Sequence, residues 1–438
     1  MFSKLVNFLF VFLAVSVVSC RHQTAGSFLV SAGSNVFDEC YGLAIDSNKD
    51  IVVSGVFSRK INFNGSLINF ELESKGASDF FVAKYSPFGK LLWAKSFGGI
   101  GVDEVANICV DKNNNIYITG FYTSTTNFLP YENAVNNKSF LLKLNSSGNI
   151  QWALNLSGKS VSEGTGICSI NNSIYWTSFF EGTISDSLKS RGNSDILCLK
   201  VTDKGFILKQ ASFGKKGKDT SRDIFATYNS HLFIAGAICL TDSENEISKA
   251  CIFELDTNLS LLFQTSLIDT AESSALSIIV NRQNEKYISG SYVNHKKNND
   301  AFLCKLSSEN KVKWVNTFCS NQNDWAKGLA FDNDQNIISA VVLNDDARVA
   351  SINQTIKGAG NYDIFISRLN KEGKIINYAS FGDNQEEGIN KIIVDKDNNL
   401  ISCGWFYKTL HINDNAITSK GEGDAFLFKD NLNMIFPK

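Results

Sequence analysis

Proline is scarce in this sequence: three residues in 438, beside two methionines and four histidines. Proline removes a backbone donor and is confined to sheet edges and bulges, so a chain with so little of it suits long, uninterrupted strand ladders. The histidines, at 22, 231, 295 and 411, stand in no HExxH and at no Cys/His metal spacing, which leaves a zinc hydrolase without a ligand set. No CxxC occurs, so a zinc ribbon or a thioredoxin-type redox site is excluded. No GxSxG, no P-loop and no GxGxxG opening a helix is present, and nothing in the sequence demands catalysis. Charge of one sign is lacking too: 42 Lys and Arg oppose 44 Asp and Glu, for a net charge of −2. The basic clusters, Lys215, Lys216 and Lys218, and His295 to Lys297, are small and read as loops, so no basic face exists for nucleic acid.

What is present begins with a processing segment. Lys4 supplies a positive start, and Leu5 to Val18 form an apolar run too short for a spanning helix. Val17, Val18, Ser19 and Cys20 then resemble a bacterial lipobox. That resemblance implies a signal peptide over 1–19 and a covalent lipid on Cys20, the other reading being an ordinary signal peptide with a chance Cys. Residues 20–26 are expected to be the anchor and tether. Arg21, where a retained enteric-type lipoprotein has Asp, favours the outer membrane in a cell that has one. About six tether residues reach roughly 20 Å, which keeps the rest close to the membrane.

From 27 to 438 the pattern does not break, and one domain is expected. Its clearest unit runs from Leu91 to Gly158: four short apolar strands separated by turns, starting and ending on the same Trp-containing phrase. The second strand is the marker. IYITG ending at Gly120 has counterparts ending at Gly55, Ser178, Gly236, Gly290, Val341 and Gly404, seven copies in all. Uneven spacing with a regular marker is one supersecondary unit repeated with loop insertions. The fourth strand carries Trp93, Trp152 and Trp314, with Phe263 in the same place. Seven four-stranded antiparallel units predict an all-β, seven-bladed β-propeller. The last unit stops soon after its third strand, and Phe28 to Ala32 align with Trp93 to Phe97, so this N-terminal strand is expected to close the seventh blade. Met434 to Phe436 also look like a fourth strand and compete for that place.

The phrases at Trp93–Asp103, Val110–Gly120 and Gly76–Phe81 or Gly421–Phe426 resemble the SBBP-type seven-bladed repeat common in bacterial extracytoplasmic proteins. The resemblance covers almost all of 27–438, and it implies a fold and a location, not an activity. Units three and four depart from it, with Ser178 for the Gly and no Trp in the fourth strand.

Two acidic patterns are candidate sites. Asp46, Asn48 and Asp50, then Asp332 and Asp334, then Asp395 and Asp397, match the front half of a calcium loop but lack the Gly at its sixth and the Glu at its twelfth position. Asp and Asn are also the residues of hairpin turns, which accounts for their recurrence. The second set, Asp38, Asp103, Asp324 and Glu387, precedes the first strands, and Asp79, Asp195, Asp300, Asp363 and Asp424 open third strands. The acids before first strands and those that open third strands should together face one end of the disc, either attracting cations or basic partners, or capping their strands. Lys84, Lys200, Lys305, Arg368 and Lys429 follow the third-strand acids by five residues, too far for direct pairing, while unit four reverses the signs with Lys249 and Glu254. After Cys20, nine cysteines occupy core positions and are expected to be mostly free.

The expected function is a non-catalytic, lipid-anchored binding or scaffolding module for envelope protein or glycan, exported and without a cofactor. The competing class is an enzyme or a cofactor- or metal-binding propeller with a site at the mouth of the central channel. Its mark would be a non-repeating cluster of His, Arg or Glu, which the sequence does not show.

Overall fold

The computed structural model describes residues 26–64, 70–129, 136–156, 161–240, 247–268 and 272–436. Cys20 and the leader therefore lie outside the described residues. Among those described, no helix is long and apolar enough to cross a membrane.

The architecture is a seven-bladed β-propeller. Blade 1 is Glu39–Ile45, Ile51–Phe57, Asp79–Tyr85 and Leu91–Phe97, in that order from the channel outward. Blades 2 to 6 repeat this order, with inner strands Asp103–Val110, Val161–Ile170, Thr220–Ala226, Ser273–Val280 and Trp325–Phe331. Blade 7 takes its first three strands, Glu387–Val394, Asn399–Phe406 and Asp424–Asn431, from the end of the chain. Its fourth is the N-terminal strand Phe28–Gly33, which pairs antiparallel with the third from Phe28↔Lys429 to Ala32↔Ala425. First and last units thus share one sheet, and no ladder is left open between them. Met434 to Phe436 do not form the competing strand. The chain turns into a short helix, Leu432–Ile435, whose Leu432 and Ile435 are buried with Phe436 against blades 6 and 7.

The core lies between blades. Phe80 of blade 1 stacks on Phe140 of blade 2, with Phe97 and Phe128 around them. Each third strand is apolar on both faces because a blade is covered on both sides, which is why these strands read as continuous apolar runs. None of the nine described cysteines is in a disulfide.

The Trp phrase is a clasp between neighbours. Trp152 and Trp314 donate their indole N–H to Asp203 and Lys371 in the next blade, at 3.0 and 3.1 Å. Each ring lies on the glycine of that outer turn, Gly205 or Gly373, held at positive φ, where a Cβ would come within 3.0 Å of the indole. Phe28 meets Gly89 in the same way, so the N-terminal strand also brings the aromatic that clasps blade 1.

Every inner strand carries a one-residue bulge at the same register, contributed by Tyr41, Ala106, Thr165, Arg222, Leu276, Lys327 and Asn390. A bulge re-aims the extra residue, so each blade has one position free of the strand's in–out alternation.

Candidate functional site

The two ends of the disc differ. On the lower end lie the turns between first and second strands. There Asp46 accepts from the N–H groups of Asn48 and Asp50, at 2.8 and 3.0 Å, and Asp395 accepts likewise from Asp397 and Asn399. Lys49, Asn114, Gln335 and Asn398 sit at positive φ beside them. The cations that meet these acids belong to the chain. Lys84 lies 2.7 Å from Asp46 and 3.1 Å from Asp50; Arg368 spans Asp332 and Asp334; Lys429 approaches Asp395 at 3.6 Å. The third-strand cation thus reaches the turn below it, and the same Lys429 donates to Pro87 of the next blade. In blade 4 the turn begins with Thr227 instead of Asp, and Glu254 replaces the cation, accepting from His231 at 2.7 Å. This accounts for the reversed signs. The turns are also joined to one another: Ser47 to Asn114, Asn333 to Asn398 and Lys49 to Asp397.

On the upper end, the two acidic sets meet at blade junctions. Asp424 faces Asp38, Asp79 faces Asp103, Asp300 faces Asp324, and Asp363 faces Glu387. A fifth pair joins Asp195 to Asp219. Asp219 was not singled out in the sequence, although Lys218, Asp219 and Thr220 repeat the place of Val102, Asp103 and Glu104. At the remaining two junctions the pair is replaced as a unit, by Lys138 with Ser162 and by Lys249 with Ser273. Burial pushes Asp38, Asp103 and Asp324 up to about 7, Glu387 to about 9, and Asp219 and Asp424 to about 6, with the facing acid adding to the shift in all but Asp424. The capping role is met by most: Asp103 accepts from Gly99, Asp219 from Lys215 and Cys239, Asp324 from Ser320 and Asn344. Asp38 and Glu387 depart from it, since no donor reaches either carboxylate oxygen at bonding geometry. Among the described residues, no group of three or more His, Cys, Asp or Glu is placed to hold a metal ion.

The channel holds what the sequence reading missed: a non-repeating charged cluster. Glu39, Glu104 and Glu163 come from the inner strands of blades 1 to 3, and Arg222 and Lys327 from the bulges of blades 4 and 6. Tyr41 and Asn390 both donate to Glu39, at 2.8 and 2.6 Å, and Lys327 donates to Asn390 at 2.7 Å. Deeper down, Asp223 accepts from Ser277 at 3.1 Å and meets Lys391 at 3.3 Å, around a cavity of about 210 Å³. The three glutamates share one register and the bulge residues another, but the residue type at each changes from blade to blade, so the cluster emerges only when the seven inner strands are brought together around the channel. The signal available was the extra residue itself, one more in each first strand than alternation allows.

On the upper end, loops between second and third strands reach the outer strand of the preceding blade. In blade 1 the hairpin Lys60–Phe63 and Phe70–Glu73 pairs with the closing strand at Ala32 and Gly33. In blade 6, Ala347–Val349 and Gln354–Ile356 extend the outer strand of blade 5. Blade 5 has only the tight turn from Asn294 to Asn298, closed by an N–H to C=O bond of 2.8 Å. Beside it an open groove of about 960 Å³ runs over the junction of blades 4 and 5, lined by Ile247, Ile268, Tyr292, His295 and Val315 among others. A smaller polar pocket of about 170 Å³ joins the groove at Glu272 and Val293 and leads toward Arg222.

No family model matches the chain. An uncharacterised WD repeat-containing protein of Acanthamoeba polyphaga mimivirus is 28% identical over 141 residues, 30% of this chain and 10% of that protein. This chain therefore spans about a tenth of the length of the curated relative it matches. A crystal structure of a protein of unknown function from Dyadobacter fermentans DSM 18053 aligns with 92% of this chain and 100% of that one, with a TM-score of 0.43 and 10% identity.

Proposed function

We propose that this propeller is a non-catalytic binding and scaffolding module of the SBBP-type repeat class, anchored to a bacterial envelope membrane through lipid on Cys20, whose upper face receives a protein or glycan partner. The observation that carries this reading is the asymmetry of the two ends. The lower turns are joined to one another and neutralised from within the chain. The upper end carries insertions that differ from blade to blade and a groove where blade 5 has none. A rigid disc with variable loops on one face is a platform for recognition, and repeat-to-repeat variation is where specificity resides. The relative named as a WD-repeat protein supports a propeller and no particular partner.

A photo-crosslinking residue placed at His295 or Val315, with Asn48 on the lower face as control, tests this in the intact envelope. Adducts from the upper positions alone support the reading, and their sensitivity to protease or to glycosidase separates protein from glycan. Adducts of equal yield from Asn48, or none from the groove, would overturn it.

A further inference from the structure

The five polar bulge residues are not equivalent in what they touch. Tyr41 is bonded to Glu39, Thr165 to Ser221 at 2.6 Å, Lys327 to Asn390, and Asn390 to Glu39. Arg222 makes no hydrogen bond or ion pair among the described residues. Its guanidinium is open to water yet enclosed by protein, and burial lowers its pKa, with Glu163 the carboxylate that opposes the shift.

Its surroundings are short of acceptors and rich in donors. In blades 1 to 3 the residue before the inner-strand bulge pair is Glu39, Glu104 or Glu163; in blades 4 and 5 the same register carries Thr220 and Ser274. The junction acids are also absent here, replaced by Lys249 and Ser273. Arg222, Lys218, Ser274 and Ser291 line the polar pocket of about 170 Å³. The Ser274 hydroxyl is buried with no partner, and the hydroxyl of Ser291, a strand residue 7% exposed, makes no hydrogen bond among the described residues. Glu272, at the end shared with the groove, lines the pocket with Arg222, and Glu163 stands on the neighbouring inner strand of blade 3; neither carboxylate is bonded to the guanidinium.

We propose that this pocket, at the upper channel mouth between blades 4 and 5, is an oxyanion site: Arg222, Lys218, Ser274 and Ser291 together hold a phosphate, sulfate or carboxylate group of the ligand whose body occupies the adjoining groove. Guanidinium matches such groups with paired N–H donors, and a hydroxyl left without a partner in a dry wall gains most from an acceptor. The pocket's volume admits one such group with a water or two. The inference rests on the upper face being the binding face, and the two fail separately, since groove crosslinks would persist if the pocket bound no anion.

Titration calorimetry of the full mature chain with inorganic phosphate, sulfate and malonate tests it and separates the three chemistries. Saturable one-site binding of at least one is expected. In Arg222→Gln the affinity should fall at least tenfold, in Ser274→Ala by a smaller factor, and in Arg59→Gln, an arginine outside the pocket, not at all. Absence of saturable binding for all three anions, or binding that Arg222→Gln leaves unchanged, would sink the proposal. Ser274→Ala keeps it testable should Arg222→Gln not fold.

Discussion

Lys84 is an almost dry ammonium between two carboxylates, its side chain 7% exposed beside an Asp46 side chain at 2%. Such a pair contributes little net stability compared with an apolar replacement, yet removing one member leaves a buried charge alone. Lys84→Ala should therefore cost about 3–5 kcal/mol, and the double change Lys84→Met with Asp46→Asn should recover most of it. Urea unfolding of the three proteins checks this, and equal losses in single and double variants would contradict it. Gly98 is constrained differently. At φ 152° it runs between two acids, and a Cβ there would come within 2.6 Å of the Asp79 carboxyl carbon and 2.8 Å of an Asp103 oxygen. Gly98→Ala should lower stability by more than the roughly 1–3 kcal/mol of backbone strain alone, because it also separates the acid pair. An unchanged melting temperature would show that the junction tolerates the opening. At this scale the sequence was legible where a residue acts within its own turn, as Asp46 does, and illegible where it acts across strands. Lys84 stands 38 residues from Asp46, with nothing local to announce their meeting.

The strand is the scale at which reading was easiest, because alternation and turn residues act locally and recur through seven units, five of which carry the Gly marker. Even the closing strand was legible, since Phe28 occupies the place of Trp93 in both alignment and structure. Met434 was not: a three-residue apolar phrase carries no periodicity, and only the occupied edge of Asp424–Asn431 sends it into a helix. Deleting the residues up to Gly33 should leave that edge bare and blade 1 without its Phe28 clasp. The truncated protein is expected to aggregate or to melt far below the intact one, and a native-like melting temperature would assign closure elsewhere. Between blades, the acid pairs set a pH dependence. Their folded pKa values, about 6 to about 9, lie above those of free carboxyls near 4, so protonation favours the folded state. That contribution is complete below about pH 4 and is lost as pH rises through 6 to 9. The melting temperature should accordingly fall between pH 5.5 and pH 9, and Glu387→Gln combined with Asp38→Asn should flatten the slope. A rising melting temperature over that range would mean that the pairs stay ionised in the fold.

For the whole molecule, the N-terminal strand fixes an orientation. Third strands descend from the upper face and fourth strands climb back to it, so Phe28 enters at the lower face, where Ser27 bonds to Asp430 and Lys429 donates to Pro87. A chain anchored at Cys20 would then reach the disc through the tether at that lower face, within about 20 Å of the membrane. The neutralised turns would face the lipid, and the groove, the channel mouth and the variable insertions would face away from it. Lipid on Cys20 and this orientation make separable claims. Cys20→Ala should shift the protein from the membrane pellet to the soluble fraction, and an unchanged distribution would remove the anchor. In the anchored protein, a fluorophore on Asn48→Cys should be quenched by spin-labelled lipid, while one on Asp345→Cys, in an upper loop, should not. Quenching confined to Asp345→Cys would turn the disc over, bring the groove against the membrane and leave the lower turns as the exposed face. Quenching at Asn48→Cys alone leaves the groove and the polar pocket open to the surrounding compartment, the arrangement a partner arriving from outside the membrane requires.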